Sequence, residues 1–469
     1  MKRVLGLLAA VPDGMPLGDV GRAPPTCSVR EANLEGIWQL LRGVVFVLLL
    51  TRASSDQIFN MLGGEAGAGS MGVGALLNVL AIAVAGFLFL RAPLKAPFPV
   101  LAIWGPFLLI AFSSALRAPD FSAAMRLAFV LLTYWAFFAI PFFILRSSRD
   151  VLRFVFVVLV SSIPPTLYAF VDIARGISNL HDFRLQSTFM HANIYAFYIV
   201  LLLGLALYVR ASSVARASPR IRMLVTLYIP LLVVLLLLTK TRSAWAVSGG
   251  MFLVYALMID RRFLAGLLLV PVLFVASPNL ADRLTDVTAA TEVDDFSQLN
   301  EDTRLNSYVW RQALWETIIP HVLERPLLGH GLETLRPSTP LFFPLVLPPG
   351  IDGHNVYLQM SFELGLLGLL ALVWLLGCVA WRLARGWRRD PPGILIMACL
   401  LIAYMLECYS DNMHFYLSFN WYFWFVMGTV CSWIGRNEPA ATVDSDLLGP
   451  AGTMGGRLHT LRCPEPRRR

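Results

Sequence analysis

The amino-acid sequence predicts an all-α membrane protein, a polytopic bundle of about twelve transmembrane helices with one long outer loop that contains helices of its own. Three observations support this fold class. Of the 469 residues, 57% are hydrophobic and only 14% are charged, whereas soluble proteins carry about 25% charged residues. The apolar residues fall into runs of about 20, the length that crosses a bilayer as a helix. A single long polar stretch interrupts these runs, which leaves no room for a large soluble domain.

Twelve apolar runs define the candidate transmembrane helices. In chain order they lie near 36–51, 73–90, 98–116, 123–145, 151–171, 191–209, 222–239, 243–259, 262–276, 354–381, 393–410 and 416–434. The pair on either side of residue 240 is separated only by Thr239-Lys240-Thr241-Arg242. Such a short polar interruption predicts a tight turn between two helices.

The distribution of charge predicts the orientation of these helices. If the N-terminus lies inside, the short inner loops hold about twice as many arginines and lysines as the short outer loops, as the positive-inside rule requires. The same bias explains the net charge of +8 without a nucleic-acid partner. The predicted segments are an inner tail over 1–35, nine transmembrane helices over 36–276, an outer loop over 277–353, three further transmembrane helices over 354–434 and an inner tail over 435–469.

Several kinds of chemistry lack their usual sequence patterns. The six cysteines lie in the tails and late helices, outside the long outer loop, and their spacing matches neither a disulfide framework nor a zinc site. The sequence also has no phosphate-binding Walker loop and no dinucleotide-binding glycine pattern. We therefore expect no cofactor and no metal, and any reaction must draw its driving force from the substrate.

The residues suited to chemistry collect on the predicted outer side, which holds six of the seven histidines. His354 follows Gly353 at the end of the long loop, where Asp352 or Asn355 could cap the next helix. The positive end of that helix disfavours an imidazolium, so a neutral His354 could act as a general base. The alternative is a surface histidine at a helix start, and spacing alone leaves both interpretations open.

Arginines lie on the same outer side. Arg184 precedes the sixth predicted helix, and Arg242 lies at the tight turn. In the long loop, Arg304, Tyr308, Arg311 and Trp315 are spaced by four, three and four residues, which places them on one face of a predicted helix. A guanidinium matches two phosphate oxygens at once, so arginines gathered here could stabilise a phosphate leaving group. Arg242 could instead extend its charged end to the membrane surface without a ligand.

Several short motifs occur together in a fixed order on this face. They are Thr241-Arg242-Ser243-Ala244-Trp245, Arg304 with Trp310 and Ala313-Leu314, Pro326 with Gly329 and Gly331, and His354-Asn355-x-Tyr357-Leu358-Gln359 with Glu363, Gly365 and Gly368. In this order they resemble the O-antigen ligase and polymerase superfamily, over residues 181–370.

The resemblance implies a multi-pass protein of the bacterial inner membrane, GT-C-like in fold, with its active site facing the periplasm. Its reaction would be the metal-independent, inverting transfer of O-antigen polysaccharide from undecaprenyl diphosphate to lipid A core. The enzyme would be a monomer surrounded by membrane lipids. By position, His354 would be the base. The residues expected to bind the diphosphate are Arg184, Arg242, Arg304 and Arg311, and the supporting residues are His191, Asn193, Tyr308 and Asn355.

The sequence also departs from the family. Members often carry Asn-Pro-Asn where this chain has His191-Ala192-Asn193. The polymerases often show an arginine followed eleven positions later by glycine in their major outer loops, and neither Arg184 nor Arg304 has this spacing, which favours a ligase over an O-antigen or exopolysaccharide polymerase. Further alternatives are a transporter of lipid-linked oligosaccharides and an enzyme that glycosylates protein.

Overall fold

The computed structural model describes residues 29–57, 73–91, 98–176, 183–214, 217–266 and 307–436, and all regular structure in these ranges is helical. The helices are α1 (Val29–Arg52), α2 (Val73–Arg91), α3 (Phe98–Ala115), α4 (Phe121–Ile144), α5 (Ser148–Ser161), α6 (Ile163–Gly176), α7 (Ala192–Ala211), α8 (Pro219–Leu238), α9 (Arg242–Met258), α10 (Ser307–Glu324), α11 (Leu335–Phe342), α12 (Val356–Gly386), α13 (Pro391–Ser410) and α14 (Leu417–Ile434).

Seven helical segments among the described residues are long and apolar enough to cross a membrane. They are Gly74–Arg91, Phe121–Ile144, Ser148–Gly176, Ala192–Ala211, Pro219–Leu238, Val356–Gly386 and Pro391–Ser410. The described part of the chain is therefore all-helical, and its apolar helices are those of a multi-pass membrane protein. The predicted count of twelve stays a prediction, because α1, α3, α9 and α14 are present but are not among the seven. Most of the predicted span near 262–276 lies outside the described residues.

Two helices form the centre of the bundle. Side chains of α7 and α14 are buried along nearly the whole of each helix, and glycines allow their neighbours to approach closely. A Cβ on Gly204 of α7 would overlap Leu400 of α13, and one on Gly428 of α14 would overlap the Phe138 carbonyl of α4. Because lipid tails are as apolar as leucine, such close van der Waals packing is what holds membrane helices together.

A break in α12 fixes part of the outer loop to the bundle. Gly365 has a φ of 67° in the middle of α12, and the freed backbone groups on either side bond to the turn at 326–331. Leu366 N donates to Pro326 O at 2.7 Å, and Gly331 N donates to Glu363 O at 3.0 Å. A Cβ on Gly365 would overlap the backbone of Leu327, so the contact depends on glycine.

The predicted outer loops share one end of the bundle. Thr188, before α7, donates from Oγ1 to Ala53 O, after α1, at 2.6 Å. Arg117, after α3, donates from Nη2 to Leu328 O in the long loop at 3.2 Å. The ends of α1 and α3 therefore each lie beside another predicted outer loop, as expected if these loops share one side of the membrane.

Candidate functional site

His354 lies at the start of α12, one residue before its cap. Asn355 is the residue that caps the helix, since its side-chain oxygen accepts a hydrogen bond from Leu358 N at 3.1 Å. The backbone of His354 has a φ of 48°, in the left-handed region that few residues other than glycine adopt and that clusters at functional sites. Its side chain is about one-third exposed, so the imidazole is accessible.

A buried carboxylate faces this imidazole. Asp411, directly after α13, has a side chain only 2% exposed, and its Oδ1 lies 3.5 Å from His354 Nδ1. The separation is that of an ion pair and is longer than a strong hydrogen bond. A carboxylate on the Nδ1 side directs Nε2 towards the accessible side and stabilises an imidazolium. Sequence reasoning missed Asp411, although its position in a short outer loop at the end of an apolar helix is a signal that could have identified it.

Three further donors hold Asp411 in place. Its Oδ1 accepts from Tyr416 Oη at 2.7 Å and from Asn412 N at 2.8 Å, and its Oδ2 accepts from Asn193 Nδ2 at 2.5 Å. Burial acts to raise the pKa of Asp411, but contact with His354 and the hydrogen bonds from Tyr416 and Asn412 outweigh it and lower the pKa to about 2. The carboxylate is therefore ionised at neutral pH.

Asn193 links this carboxylate to Arg184. Its Oδ1 accepts from Arg184 Nη2 at 2.7 Å, while its Nδ2 donates to Asp411. Arg184, Asn193, Asp411 and His354 thus form a continuous polar network, called here the His354 network. The expected supporting residue Asn193 is at its centre, although the surrounding motif departs from the family pattern.

His191 supports the network from the helix end. It is the N-cap of α7, and its Nδ1 accepts a hydrogen bond from Asn193 N at 3.1 Å. Partial desolvation and, after it, the charge of Arg184 lower the pKa of His191. A neutral imidazole at pH 7 agrees with the acceptor role of Nδ1, and its contacts are those of a residue that orients Asn193.

Arg184 also contacts the tight turn between α8 and α9. Its Nε donates to Thr239 O at 3.1 Å, and its Nη2 donates to Thr241 Oγ1 at 3.1 Å. Lys240 lies between these two threonines, with a φ of 53°, and Arg242 begins α9, half-buried. Three cationic residues therefore collect around one turn. The positive end of α9 adds to them, so this region suits an anionic group.

Helix α10 packs against the loop that carries His354. The ring of Trp310 lies edge-on to the imidazole, 5.8 Å between centroids, and Trp315 Nε1 donates to Gly353 O at 2.8 Å. Arg311 is close enough to Tyr416 to interact with it electrostatically. Tyr308 is exposed, and Arg304 lies outside the described residues. Trp310, which was not on the predicted helix face, is thus the α10 side chain that contacts His354.

Glu363 does not join the network through any described hydrogen bond. Its side chain is fully buried, and its Oε1 accepts from Gln359 Nε2 at 3.0 Å. It also accepts, more weakly, from Leu335 N at 3.4 Å. These contacts hold Glu363 in the packing between α12 and the start of α11.

Comparison with known families shows what part of the chain around this site is similar to. Residues 227–373 match the family model described as O-antigen ligase. These residues are called here the O-antigen ligase domain, after the family that they match. The resemblance inferred from the sequence motifs is thereby confirmed for these residues, which make up less than half of the chain. No curated protein matches the chain in the comparison made.

The limits of the O-antigen ligase domain divide the candidate site. His354, Arg242 and Arg311 lie within the matched residues. Arg184, Asn193 and Asp411 lie outside them, in helices that flank the domain in sequence. The His354 network therefore joins the O-antigen ligase domain to the flanking parts of the same chain.

Proposed function

We propose that this protein is an O-antigen ligase of a bacterial inner membrane. It transfers O-antigen polysaccharide from undecaprenyl diphosphate to a sugar hydroxyl of lipid A core, on the periplasmic side. The observation that carries the proposal is the His354 network, which places an accessible imidazole at one end and Arg184, beside Lys240 and Arg242, at the other. This network includes residues of the O-antigen ligase domain.

His354 is the general base that activates the acceptor hydroxyl in the proposed reaction. Its Nε2 takes the proton of the acceptor hydroxyl, and Asp411 stabilises the imidazolium that results. The acceptor oxygen bonds to the anomeric carbon as the bond from that carbon to the phosphate oxygen breaks. Attack from the side opposite the diphosphate inverts the anomeric configuration. The electron pair leaves with undecaprenyl diphosphate, and the proton remains on His354 until solvent removes it.

Arg184 and Arg242 stabilise the departing diphosphate in the proposed reaction. Fixed cations and helix N-termini stabilise charge that develops in a transition state without reorganising. Arg184 is fixed by Asn193, Thr239 and Thr241, and Arg242 lies in the first turn of α9, at the positive end of that helix. Arg304 and Arg311 remain additional candidates for this role.

The lipopolysaccharide of a strain that lacks the chromosomal copy tests the proposal. Electrophoresis is expected to show core without polymer, together with accumulated undecaprenyl-linked chains. Wild-type protein restores the capped core. Core that bears a single repeat unit would show a polymerase instead, and a normal profile would contradict both assignments.

His354→Ala is the first variant to compare in that strain. Loss of a general base lowers catalysis by about 100-fold or more, so we expect core without polymer at wild-type protein levels. His321→Ala is the matched control, since His321 pairs with Glu324 at 2.8 Å on α10 rather than with the network. Normal capping by His354→Ala would contradict the role assigned to His354.

A further inference from the structure

Two side chains from different helices hold the backbone just before His354. Gly353 precedes His354 and is buried. Its N–H donates to Gln359 Oε1 at 3.2 Å, and its carbonyl accepts from Trp315 Nε1 at 2.8 Å. Both polar backbone groups of Gly353 are therefore bonded to side chains, one on α12 and the other on α10.

Gln359 is itself fixed on its other side. It is fully buried near the start of α12, and its Nε2 donates to Glu363 Oε1 at 3.0 Å, one turn further along the helix. Glu363 also accepts from Leu335 N at 3.4 Å, at the start of α11. Because the amide nitrogen faces Glu363, the amide oxygen is directed to Gly353.

Gln359 also acts on Asp352, which lies directly before Gly353. Burial raises the pKa of Asp352, while the charge of Arg336 and a hydrogen bond from Gln359 act to lower it. One buried amide thus interacts with both of the residues that lead into His354.

Trp315 is oriented by an aromatic contact with the end of α13. Its ring lies edge-on to Tyr409, 5.3 Å between centroids, and Asp411 follows two residues later. The indole that holds the Gly353 carbonyl therefore packs against the same helix end that presents Asp411 to His354.

The position of Gly353 determines where the imidazole lies. His354 has a φ of 48°, and such a backbone persists only where the surrounding structure holds it. A buried N–H or carbonyl that loses its partner is costly, so the backbone shifts until the group is bonded again. That shift would change the 3.5 Å contact between His354 Nδ1 and Asp411 Oδ1.

We propose that Gln359 and Trp315 are positioning residues, which hold Gly353 so that the His354 imidazole faces Asp411. The inference rests on the proposed function, because it assigns these two residues an effect on the turnover of that reaction. Their effect passes through the backbone of Gly353 and requires no contact with the substrate.

Turnover by the purified full-length protein tests the inference, with undecaprenyl diphosphate-linked O-antigen as donor and lipid A core as acceptor. Gln359→Met keeps the length of the side chain but removes both hydrogen-bonding groups. We expect kcat to fall about tenfold or more, as for a displaced catalytic group, with KM unchanged. Thr339→Val is the matched control, since Thr339 is also fully buried and its Oγ1 accepts from Ile351 N at 2.9 Å in the same loop. Its kcat is expected to stay near that of the wild type.

Hydrogen–deuterium exchange resolved to single amides reports the backbone contacts independently of activity. Gln359→Met is expected to speed exchange at Gly353, and Thr339→Val is expected to speed exchange at Ile351. Unchanged exchange at Gly353 in Gln359→Met would overturn the inference. Equal losses of kcat in Gln359→Met and Thr339→Val would also overturn it, because they would show a general loosening of the loop.

A double variant tests whether both side chains act through Gly353. Trp315→Phe removes the indole donor and keeps an aromatic ring beside Tyr409. Changes that act on one shared group are not additive, so the double variant is expected to lose less kcat than the product of the two single losses. Multiplicative losses would contradict the shared route. No transfer by the wild-type protein would overturn the proposed function and this inference together, whereas normal kcat in Gln359→Met would overturn only the inference.

Discussion

At the scale of single residues, the candidate site depends on a histidine and an aspartate that meet through the packing of two helix ends. His354 precedes α12, and Asp411 follows α13. Their 3.5 Å contact forms because both helix ends lie at the same end of the bundle. The low pKa of Asp411 keeps the carboxylate charged at neutral pH, which allows it to stabilise a protonated His354 during a reaction.

Asp411→Asn separates charge from shape at this contact. The amide keeps the size of the carboxylate but removes the negative charge that stabilises an imidazolium, so we expect the transfer rate to fall on the order of tenfold or more. Capping of the core, measured in the complemented strain, reports the loss. Asp260→Asn is the control, because Asp260 pairs with Arg210 at 3.2 Å at the opposite end of the bundle. A normal rate in Asp411→Asn would contradict the assigned role.

Arg242→Lys tests the shape of the proposed diphosphate contact. Lysine keeps the charge but loses the planar pair of donors that matches two phosphate oxygens, so we expect about a tenfold loss of transfer rate. Arg261→Lys is the matched control, since Arg261 is exposed just past the far end of α9. If Arg242→Lys caps core as well as wild type, a bidentate contact at this position is wrong.

At the scale of elements, the break in α12 sets the position of the outer loop relative to His354. Hydrogen bonds on both sides of Gly365 hold the turn at 326–331. At that turn, Gly329 has a φ of 65°, and a Cβ there would overlap the backbone of Glu363. Two glycines with left-handed backbones thus face each other, and either side chain would push the loop away from the helix that begins beside His354.

Gly365→Ala tests this close approach. The left-handed backbone and the overlap with Leu327 predict a loss of about 1–3 kcal/mol in the free energy of unfolding. Thermal unfolding in detergent measures it. Gly377→Ala is the matched control on the same helix, where a Cβ would meet no atom within 4 Å and alanine favours helix over glycine. Equal stability of the two variants would contradict the proposed role of Gly365.

At the scale of the whole molecule, the alternation of helix direction separates two ends with different chemistry. The His354 network lies at one end, and a cavity lined by Trp38, Arg42 and Arg146 lies at the other. The positive-inside rule assigns the His354 end to the outer compartment. This orientation is a prediction from charge, and it is required if the acceptor is lipid A core in the periplasm.

Cysteine accessibility measures the orientation directly. We expect a membrane-impermeant maleimide to label Glu316→Cys on α10 in cells whose outer membrane has been made permeable. Arg388→Cys is expected to stay unlabelled until the inner membrane is opened. Both positions are exposed in the structure, so accessibility depends on the compartment. The unsubstituted chain gives the background from its own cysteines. The reverse pattern would contradict the predicted topology and the periplasmic reaction.

Much of this architecture follows from the sequence because membrane helices satisfy their own backbone hydrogen bonds. Apolar runs therefore predict helices locally, and most of the predicted spans coincide with helices among the described residues. The motif around Arg242 and His354 likewise indicated the O-antigen ligase family, which the match to residues 227–373 confirms. The sequence predicted twelve membrane-crossing helices, whereas length and hydropathy identify seven such segments among the described residues.

The sequence by itself determined the fold class, the resemblance of residues 227–373 to O-antigen ligases and the residues flanking each polar turn, because these properties depend on local composition and order. Only the tertiary structure decided that Asp411 faces His354 and that Asn193 links Asp411 to Arg184. Asp411 is far along the chain from Asn193 and from His354, and helix packing sets which loops meet. Local pattern carries no information about that packing, so the network became visible only in three dimensions.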